Sequence, residues 1–288
     1  MNRSGSGNSG LPEALRDVLR ATARETQLLV RCLQDDVSPV NLASSQRYHL
    51  SDLGGLAPVH SPRTAPRIEV CNLDTLDAAT NLWRWAWEKG LRNTRPFVLN
   101  FANANHRGGG WLNGALAQEE ELCRRSSLAC SLEHQAYPLR RRGGIYSPNV
   151  YTIRESLARN HELMRQPAAD LPKCSVFTVA AIKKPRTTQA GRFFSLQQDR
   201  SLTKDKMRLA LRVAAINHHE MLVLGAFGCG VFSNPPDDIA YCWLEVLRER
   251  EFANRWKAVA FAVYDRSHAY NPHGNFEIFN RILHGQQV

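Results

Sequence analysis

The segment with the clearest chemical character is a run of three glycines, followed after seven residues by a cluster of carboxylates. The glycines occupy positions 108–110, an apolar run over residues 97–99 precedes them, and Gln118, Glu119 and Glu120 follow. Glycines let backbone N–H groups approach a ligand closely, and such groups bind anions. Acidic residues are also common in the first turn of ordinary helices, but that does not explain the glycines. The pattern therefore predicts a ligand site.

A second stretch has the same character. Residues 221–224 are an apolar run that reads as a strand, and Gly225, Gly228 and Gly230 follow it within a few positions. Two glycine loops that each follow a buried strand can hold an anionic group through backbone N–H groups, without any lysine.

Together these motifs resemble the poly(ADP-ribose) glycohydrolase family, whose signature is three glycines, a short spacer and Gln-Glu-Glu. The stretch over residues 221–232 is similar to the diphosphate-binding loop of that family. Residues 146–150, and residues 258–265 together with Asn275 and Phe276, also look like its compact bacterial and fungal form. The resemblance covers residues 68–283.

The resemblance implies a hydrolase that cleaves ribose–ribose O-glycosidic bonds and releases ADP-ribose, with attack at chain ends. The departing hydroxyl needs a proton, and a glutamate supplies one near neutral pH only if burial or a neighbouring negative charge raises its pKa. The family assigns proton transfer to the second glutamate, here Glu120, while Gln118 and Glu119 position the ribose. Glu121 extends the acidic run by one residue and is expected to be exposed.

The predicted substrate-binding residues lie in both glycine loops and in the segments beside the first. They are Gln118, Asn103, Asn105, Gly108, Gly109, Gly110, Gly225, Gly228, Cys229, Gly230, Val231 and Phe232. The residue types leave open whether Asn103 or Asn105 contacts the ribose, and whether Phe232 packs on that ribose or in the core. They also leave open whether Arg107 reaches a phosphate, and whether Asn72 and Asp74 contact adenine or Asp74 caps a helix. No metal or redox cofactor is implied.

Strand and helix patterns alternate along most of the chain, which predicts an α/β fold. The resemblance implies a macrodomain-like mixed central sheet, flanked by helices on both faces, over residues 67–288. Residues 1–66 are predicted to form an N-terminal extension: a disordered start over 1–10, a helix over 12–33, and a long surface connection over 35–66. The acidic cluster is expected to begin a helix over residues 116–132.

The balance of charges favours an anionic partner. Lysines and arginines number 37 against 27 acidic residues, which gives a formal charge of +10. Poly(ADP-ribose) or ADP-ribosylated proteins fit this charge, with ADP-ribose as the product, and nucleic acid is not required. A basic surface without any ligand explains the charge equally well.

Cysteine usage and hydropathy predict an intracellular protein, cytoplasmic or nuclear. The seven cysteines are odd in number and scattered, which indicates reduced thiols. Residues 1–10 have no apolar signal segment and no run is apolar enough to span a bilayer, so no membrane association is expected.

Two other functions compete with the hydrolase. A non-catalytic module that binds ADP-ribose would need the same glycine loops, but it would not need Gln118, Glu119 and Glu120. A general nucleic-acid-binding protein is supported by charge alone, since no recognised nucleic-acid-binding motif occurs.

Overall fold

A computed structural model describes residues 11–38, 40–59, 65–91, 94–265 and 271–288, so the predicted disorder of residues 1–10 lies outside the described residues. The described strands are β1 (Gln46–His49), β2 (Ile68–Cys71), β3 (Phe97–Phe101), β4 (Gly143–Tyr151), β5 (Lys173–Val179), β6 (Met221–Leu224) and β7 (Ala258–Ala262). The described helices are α1 (Glu13–Asp36), α2 (Thr75–Glu88), α3 (Gln118–Arg125), α4 (Leu128–Ser131), α5 (Gln197–Ile216), α6 (Pro236–Leu247) and α7 (Asn275–Leu283). Within these ranges no helix combines the length and the apolar character that crossing a membrane requires.

The strands form one mixed sheet in the order β1-β4-β5-β3-β6-β7-β2. The five strands from β5 to β2 are parallel, whereas β4 is antiparallel to β5 and β1 is antiparallel to β4. Because parallel strands end at the same edge, the segments that follow β3, β5 and β6 come together there. Both glycine loops belong to these segments.

Helices cover both faces of the sheet, and the alternation of side chains along β3 shows how. Phe97 and Leu99 pack in one apolar core with α5, α6 and α7, while Val98 packs in another with α2 and α3. All three side chains are buried, which is why the strand reads as a continuous apolar run. The predicted α/β class, with a mixed sheet and helices on both faces, is confirmed.

Helix α2 begins at Thr75, and Asp74 caps it, which is one of the two roles that the sequence left open for this residue. The backbone N–H of Leu76 donates to Oδ1 of Asp74 over 2.8 Å, which satisfies one of the free N–H groups at the helix start. The apolar side of the helix packs against the sheet through Leu76, Ala78 and Ala79.

The predicted single helix over residues 116–132 is wrong. It is divided into α3 and α4 because the backbone of Ser126 is extended, with φ −143° and ψ 176°. Oγ of Ser126 accepts the backbone N–H of Leu128 over 3.2 Å and so stabilises the break. Serine competes with helical hydrogen bonding in this way through its short side chain.

The connection predicted over residues 35–66 contains a strand that the sequence did not signal. Gln46–His49 form β1 and pair with residues 143–146 of β4 at the edge of the sheet. Four residues are too few to show a clear alternating pattern, and the first two of these are exposed. Ala23 of helix α1 packs in the apolar core that also contains Leu122 and Trp111. The division into residues 1–66 and 67–288 stays a prediction.

Candidate active site

Residues of both glycine loops line one cleft at the carboxyl edge of the parallel strands. The cleft has a volume of about 270 Å³. Its walls contain most of the residues predicted to bind substrate, namely Asn103, Gly110, Gln118, Glu119, Glu120, Gly228, Gly230, Val231 and Phe232. The two glycine motifs, which are far apart in the sequence, therefore form one site in the fold.

The first loop requires glycine for both conformation and space. Gly108 and Gly109 have φ of +68° and +58°, which side-chain-bearing residues rarely adopt. A Cβ atom on Gly109 would also collide with the carboxylate of Glu120. The loop backbone can therefore lie directly against that carboxylate.

Glu120 is partly exposed to the cleft, and one of its oxygens is fixed. Its Oε1 accepts the backbone N–H of Gly110 over 3.0 Å. This hydrogen bond orients the carboxyl group, and no hydrogen bond from the described residues engages Oε2.

Glu119 lies deeper than its neighbour, with 3% of its surface exposed. Its Oε2 accepts the backbone N–H of Asn103 over 2.7 Å. Burial raises the pKa of Glu119 to about 8, and the charge of Glu120 adds to the rise while the Asn103 N–H opposes it. Glu119 therefore holds a proton at neutral pH, beside a second carboxylate.

Gln118 fixes α3 to β3 through its side-chain amide. Its Oε1 accepts the N–H of Phe101 over 2.8 Å, and its Nε2 donates to the carbonyl oxygen of Leu99 over 2.7 Å. The predicted ribose contact through Gln118 stays a prediction, since these bonds already engage both ends of the amide. What the bonds do achieve is to fix the start of the helix that carries both glutamates.

The expectation that Glu121 is exposed is wrong, because it is 8% exposed and forms ion pairs. Its Oε1 pairs with Arg124, and its Oε2 accepts a hydrogen bond from Nε2 of His161 over 2.8 Å. Burial alone would raise the pKa of Glu121, but His161 and Arg124 together lower it. Arg124 in turn donates to the carbonyl oxygen of Ala115 over 2.7 Å, so this cluster supports the loop before α3.

The second loop is the one with free backbone donors. Among the described residues, no acceptor binds the N–H groups of Gly230, Val231 or Phe232. In the first loop, by contrast, the N–H groups of Gly109 and Gly110 donate to the His106 carbonyl and to Glu120. The expectation that both loops offer donors to a diphosphate stays a prediction, and in this structure the donors of these two glycines already bind protein acceptors.

Asn234 shapes the second loop, although the sequence analysis missed it. Its Nδ2 donates to the carbonyl oxygens of Ile182 over 2.7 Å and Gly228 over 3.1 Å. Gly228 has φ of +76°, and a Cβ atom there would collide with this amide. An asparagine shortly after a glycine loop is the available signal, but asparagines are frequent in loops.

Five of the predicted substrate-binding residues do not line the cleft, namely Asn105, Gly108, Gly109, Gly225 and Cys229. Gly225 is buried, and a Cβ atom there would lie 2.7 Å from the carbonyl oxygen of Ala262, so it serves close strand packing. Burial strongly raises the pKa of the Cys229 thiol. Asn105 is exposed, whereas Asn103 lines the cleft and its Oδ1 accepts the N–H of Asn105 over 2.9 Å. Arg107 donates to the carbonyl oxygen of Leu132 over 3.0 Å.

A larger cavity of about 710 Å³ continues the cleft and shares Phe101, Gln118 and Val231 with it. Asn72 and Asp74, the predicted alternatives for adenine contact, line this cavity. Asn72 is already bonded in both directions to the backbone of Asp265, at 2.8 and 3.0 Å. Asp74 caps α2 and pairs with Arg125.

Comparisons with known proteins agree with this geometry. The family model described as microbial-type PARG, catalytic domain, matches residues 33–155. A poly(ADP-ribose) glycohydrolase (PARG) from Thermomonospora curvata, bound to the inhibitor ADP-HPD, is 28% identical with a TM-score of 0.74, over 92% of this chain and 99% of that one. A poly(ADP-ribose) glycohydrolase from Deinococcus radiodurans, in complex with ADP-ribose, is 27% identical with a TM-score of 0.61, over 95% and 92%. No curated protein matches the chain.

The fold and the cleft define a glycosidase with a macrodomain-like sheet. Within that class, the predicted resemblance to compact microbial poly(ADP-ribose) glycohydrolases is confirmed.

Proposed function

We propose that this chain hydrolyses the ribose–ribose O-glycosidic bond of poly(ADP-ribose) and releases ADP-ribose, with Glu120 as general acid and base. The observation that carries the proposal is the hydrogen bond from the Gly110 N–H to Oε1 of Glu120, within a cleft that also contains free backbone donors. The same cleft therefore combines a proton-transfer group with an anion-binding loop.

The substrate diphosphate is expected to bind the free N–H groups of Gly230, Val231 and Phe232. Phe232 lines the cleft and belongs to neither main core cluster, which favours packing on the adjoining ribose over a core role. Asn103 lines the same wall and is the favoured ribose contact, ahead of the exposed Asn105.

The reaction starts as Glu120 donates a proton to the glycosidic oxygen while the bond to the anomeric carbon breaks. The transition state has oxocarbenium character, and the leaving ribose departs as an alcohol. Binding of the diphosphate adds negative charge near the two glutamates, which favours the protonated form of a carboxyl group. Glu119, which already holds a proton, positions the loop through the Asn103 N–H.

A water molecule then attacks the anomeric carbon, and the Glu120 carboxylate takes a proton from that water. This returns Glu120 to its starting state and leaves ADP-ribose with a free hydroxyl group. General acid and base help of this kind contributes about 100- to 10,000-fold to the rate. Substrate positioning by the two loops has to supply much of the remainder.

The wider setting of the reaction is also part of the proposal. The polymer and ADP-ribosylated proteins are the expected partners, cleavage proceeds from chain ends, and the site of action is the cell interior, in cytoplasm or nucleus. Reversal of ADP-ribosylation in the DNA damage response would use this chemistry.

The test is release of free ADP-ribose from an automodified, poly(ADP-ribosyl)ated protein. Glu120→Gln should lower the rate by about 100- to 10,000-fold, because the amide cannot donate a carboxyl proton. Affinity for ADP-ribose should stay within a few-fold of that of the wild type. Glu88→Gln, an exposed position at the end of α2, is the matched control and should leave the rate unchanged.

Each other outcome has a definite meaning. Equal rates for wild type and Glu120→Gln would remove Glu120 from the chemistry. No release by the wild type, with ADP-ribose still bound, would replace the enzyme with a binding module. Oligomeric products in place of single ADP-ribose units would contradict cleavage from chain ends.

A further inference from the structure

The segment that follows β5 runs along the second glycine loop. Ala181 lines the cleft, and the carbonyl oxygen of Ile182 accepts the amide of Asn234 over 2.7 Å. The backbone N–H of Lys184 donates to the carbonyl oxygen of Phe232 over 2.8 Å. The backbone after residue 180 is therefore held against the loop whose residues Gly230, Val231 and Phe232 line the cleft.

Three cations stand on this segment with no carboxylate partner. Lys183, Lys184 and Arg186 are exposed, and in the described part of the chain no acidic group lies within ion-pair distance of them. Farther along the chain the basic residues are paired, as Arg192 is with Asp237 over 2.7 Å. Unpaired cations beside an anion-binding loop give a local positive field.

The backbone of Lys184 is also unusual. Its φ is +49°, in a region that residues other than glycine, asparagine and aspartate seldom adopt. Such a conformation persists only where the surroundings hold it, here through the bond to Phe232. The direction of the chain through residues 183–186, which we call the basic segment, is thereby fixed relative to the cleft.

We propose that the basic segment binds the phosphates of the next ADP-ribose unit of the polymer, beyond the unit that fills the cleft. This inference rests on the proposed function. The unit in the cleft uses the backbone donors of Gly230–Phe232 for its own diphosphate. The phosphates of the next unit therefore need a separate binding group, which cationic side chains can provide. The next unit begins at the scissile bond, beyond the ribose on which Phe232 is expected to pack. The carbonyl oxygen of Phe232 accepts the backbone N–H of Lys184, so the basic segment lies close to that ribose.

The alternative is that these residues form an ordinary solvated surface. A polymer subsite and a solvated surface differ in their expected effect on the binding of single ADP-ribose and of the polymer. A polymer subsite affects binding of the polymer and not of single ADP-ribose, whereas a solvated surface affects neither.

The test compares ADP-ribose with short purified poly(ADP-ribose) as ligands for the Glu120→Gln protein, which does not consume them. Adding Lys183→Gln, Lys184→Gln and Arg186→Gln should weaken polymer binding about 10-fold and reduce the slope of log Kd against log salt by about 2. Affinity for ADP-ribose should not change. In the otherwise wild-type chain, the triple variant should raise KM for the polymer more than it lowers kcat.

The matched control removes three exposed cations elsewhere that also have no ion-pair partner among the described residues, through Arg84→Gln, Lys89→Gln and Arg250→Gln. Polymer affinity that stays at the wild-type level in the basic-segment variant, or falls equally in the control, would overturn the inference. Failure of the proposed function is distinguishable, since then the wild type would release no ADP-ribose whatever the variants bind.

Discussion

Glu119 and Glu120 are neighbours in the chain but occupy different environments, and each is bonded to a different point of the first loop. Glu119 is buried and accepts the N–H of Asn103, while Glu120 is partly exposed and accepts the N–H of Gly110. The sequence could predict that one holds and the other reacts, because successive helical positions differ by about 100° in direction. The bonds that fix them come from loop backbone, which carries no sequence signal.

The raised pKa of Glu119 predicts a loss of activity in alkaline solution. Above about pH 8 this carboxyl ionises beside Glu120, and both charges then repel the substrate diphosphate. The quantity kcat/KM should therefore fall above about pH 8, since it reports the free enzyme. Glu119→Gln mimics the protonated form, so its profile should stay flat there, at a lower absolute activity. An unchanged alkaline decline in Glu119→Gln would assign the ionisation to another group.

At the scale of elements, the strands and most helices follow the apolar patterns closely. The apolar runs over residues 97–99 and 221–224 both lie in strands, Phe97–Phe101 and Met221–Leu224, because buried strands in a parallel sheet are apolar on both faces. Buried ion pairs were not predictable in the same way. Glu121 and His161 are 40 residues apart in the sequence, so only the fold brings them together. The edge strand β1 was not predicted, because four residues are too few to show an alternating strand pattern.

The second loop depends on Asn234, and this gives a prediction at the scale of the loop. Asn234→Ala removes the amide that bonds to Ile182 and Gly228, so the loop that carries the free N–H groups loses this support. ADP-ribose affinity, measured by calorimetry, should fall by about 10-fold, and the free energy of unfolding by about 1–3 kcal/mol.

Asn217→Ala is the matched control for that experiment. Asn217 also donates to a backbone carbonyl, that of Val213 over 2.9 Å, but at the end of α5. It should lower stability without changing affinity for ADP-ribose. A similar affinity loss in both variants would mean that Asn234 acts only through global stability.

Across the whole molecule, a buried histidine links β4 to the segment that enters β6. The Tyr146 hydroxyl lies 2.7 Å from Nε2 of His219, and Nδ1 lies 3.1 Å from the carbonyl oxygen of Arg95. With Nδ1 protonated, His219 donates to Arg95 and accepts from Tyr146, so both bonds are made by the neutral ring. Burial lowers the pKa of His219 to about 4, the nearby positive charges add to this, and the bond to the Arg95 backbone opposes it.

This histidine predicts a loss of stability in acid. The unfolded chain takes up the proton near pH 6.5 and the folded chain only near pH 4, so the stability present above pH 6.5 is lost as the pH falls between them. The contribution of His219 over this range is about 3 kcal/mol. In urea unfolding, the stability difference between wild type and His219→Gln should shrink between pH 7 and pH 4. A constant difference would show that His219 does not titrate in this range.

Helix α1 contacts the segment between the first glycine loop and α3 at Gly114, where no side chain fits. A Cβ atom on Gly114 would lie 2.7 Å from the carbonyl oxygen of Arg16, and Thr26 of the same helix donates to the carbonyl oxygen of Arg124 over 2.8 Å. A fragment that begins after residue 66 would therefore lack helix α1, which packs against the segment between the first glycine loop and α3. Fusion partners and truncations are better placed ahead of residue 11, where α1 and its contacts remain whole.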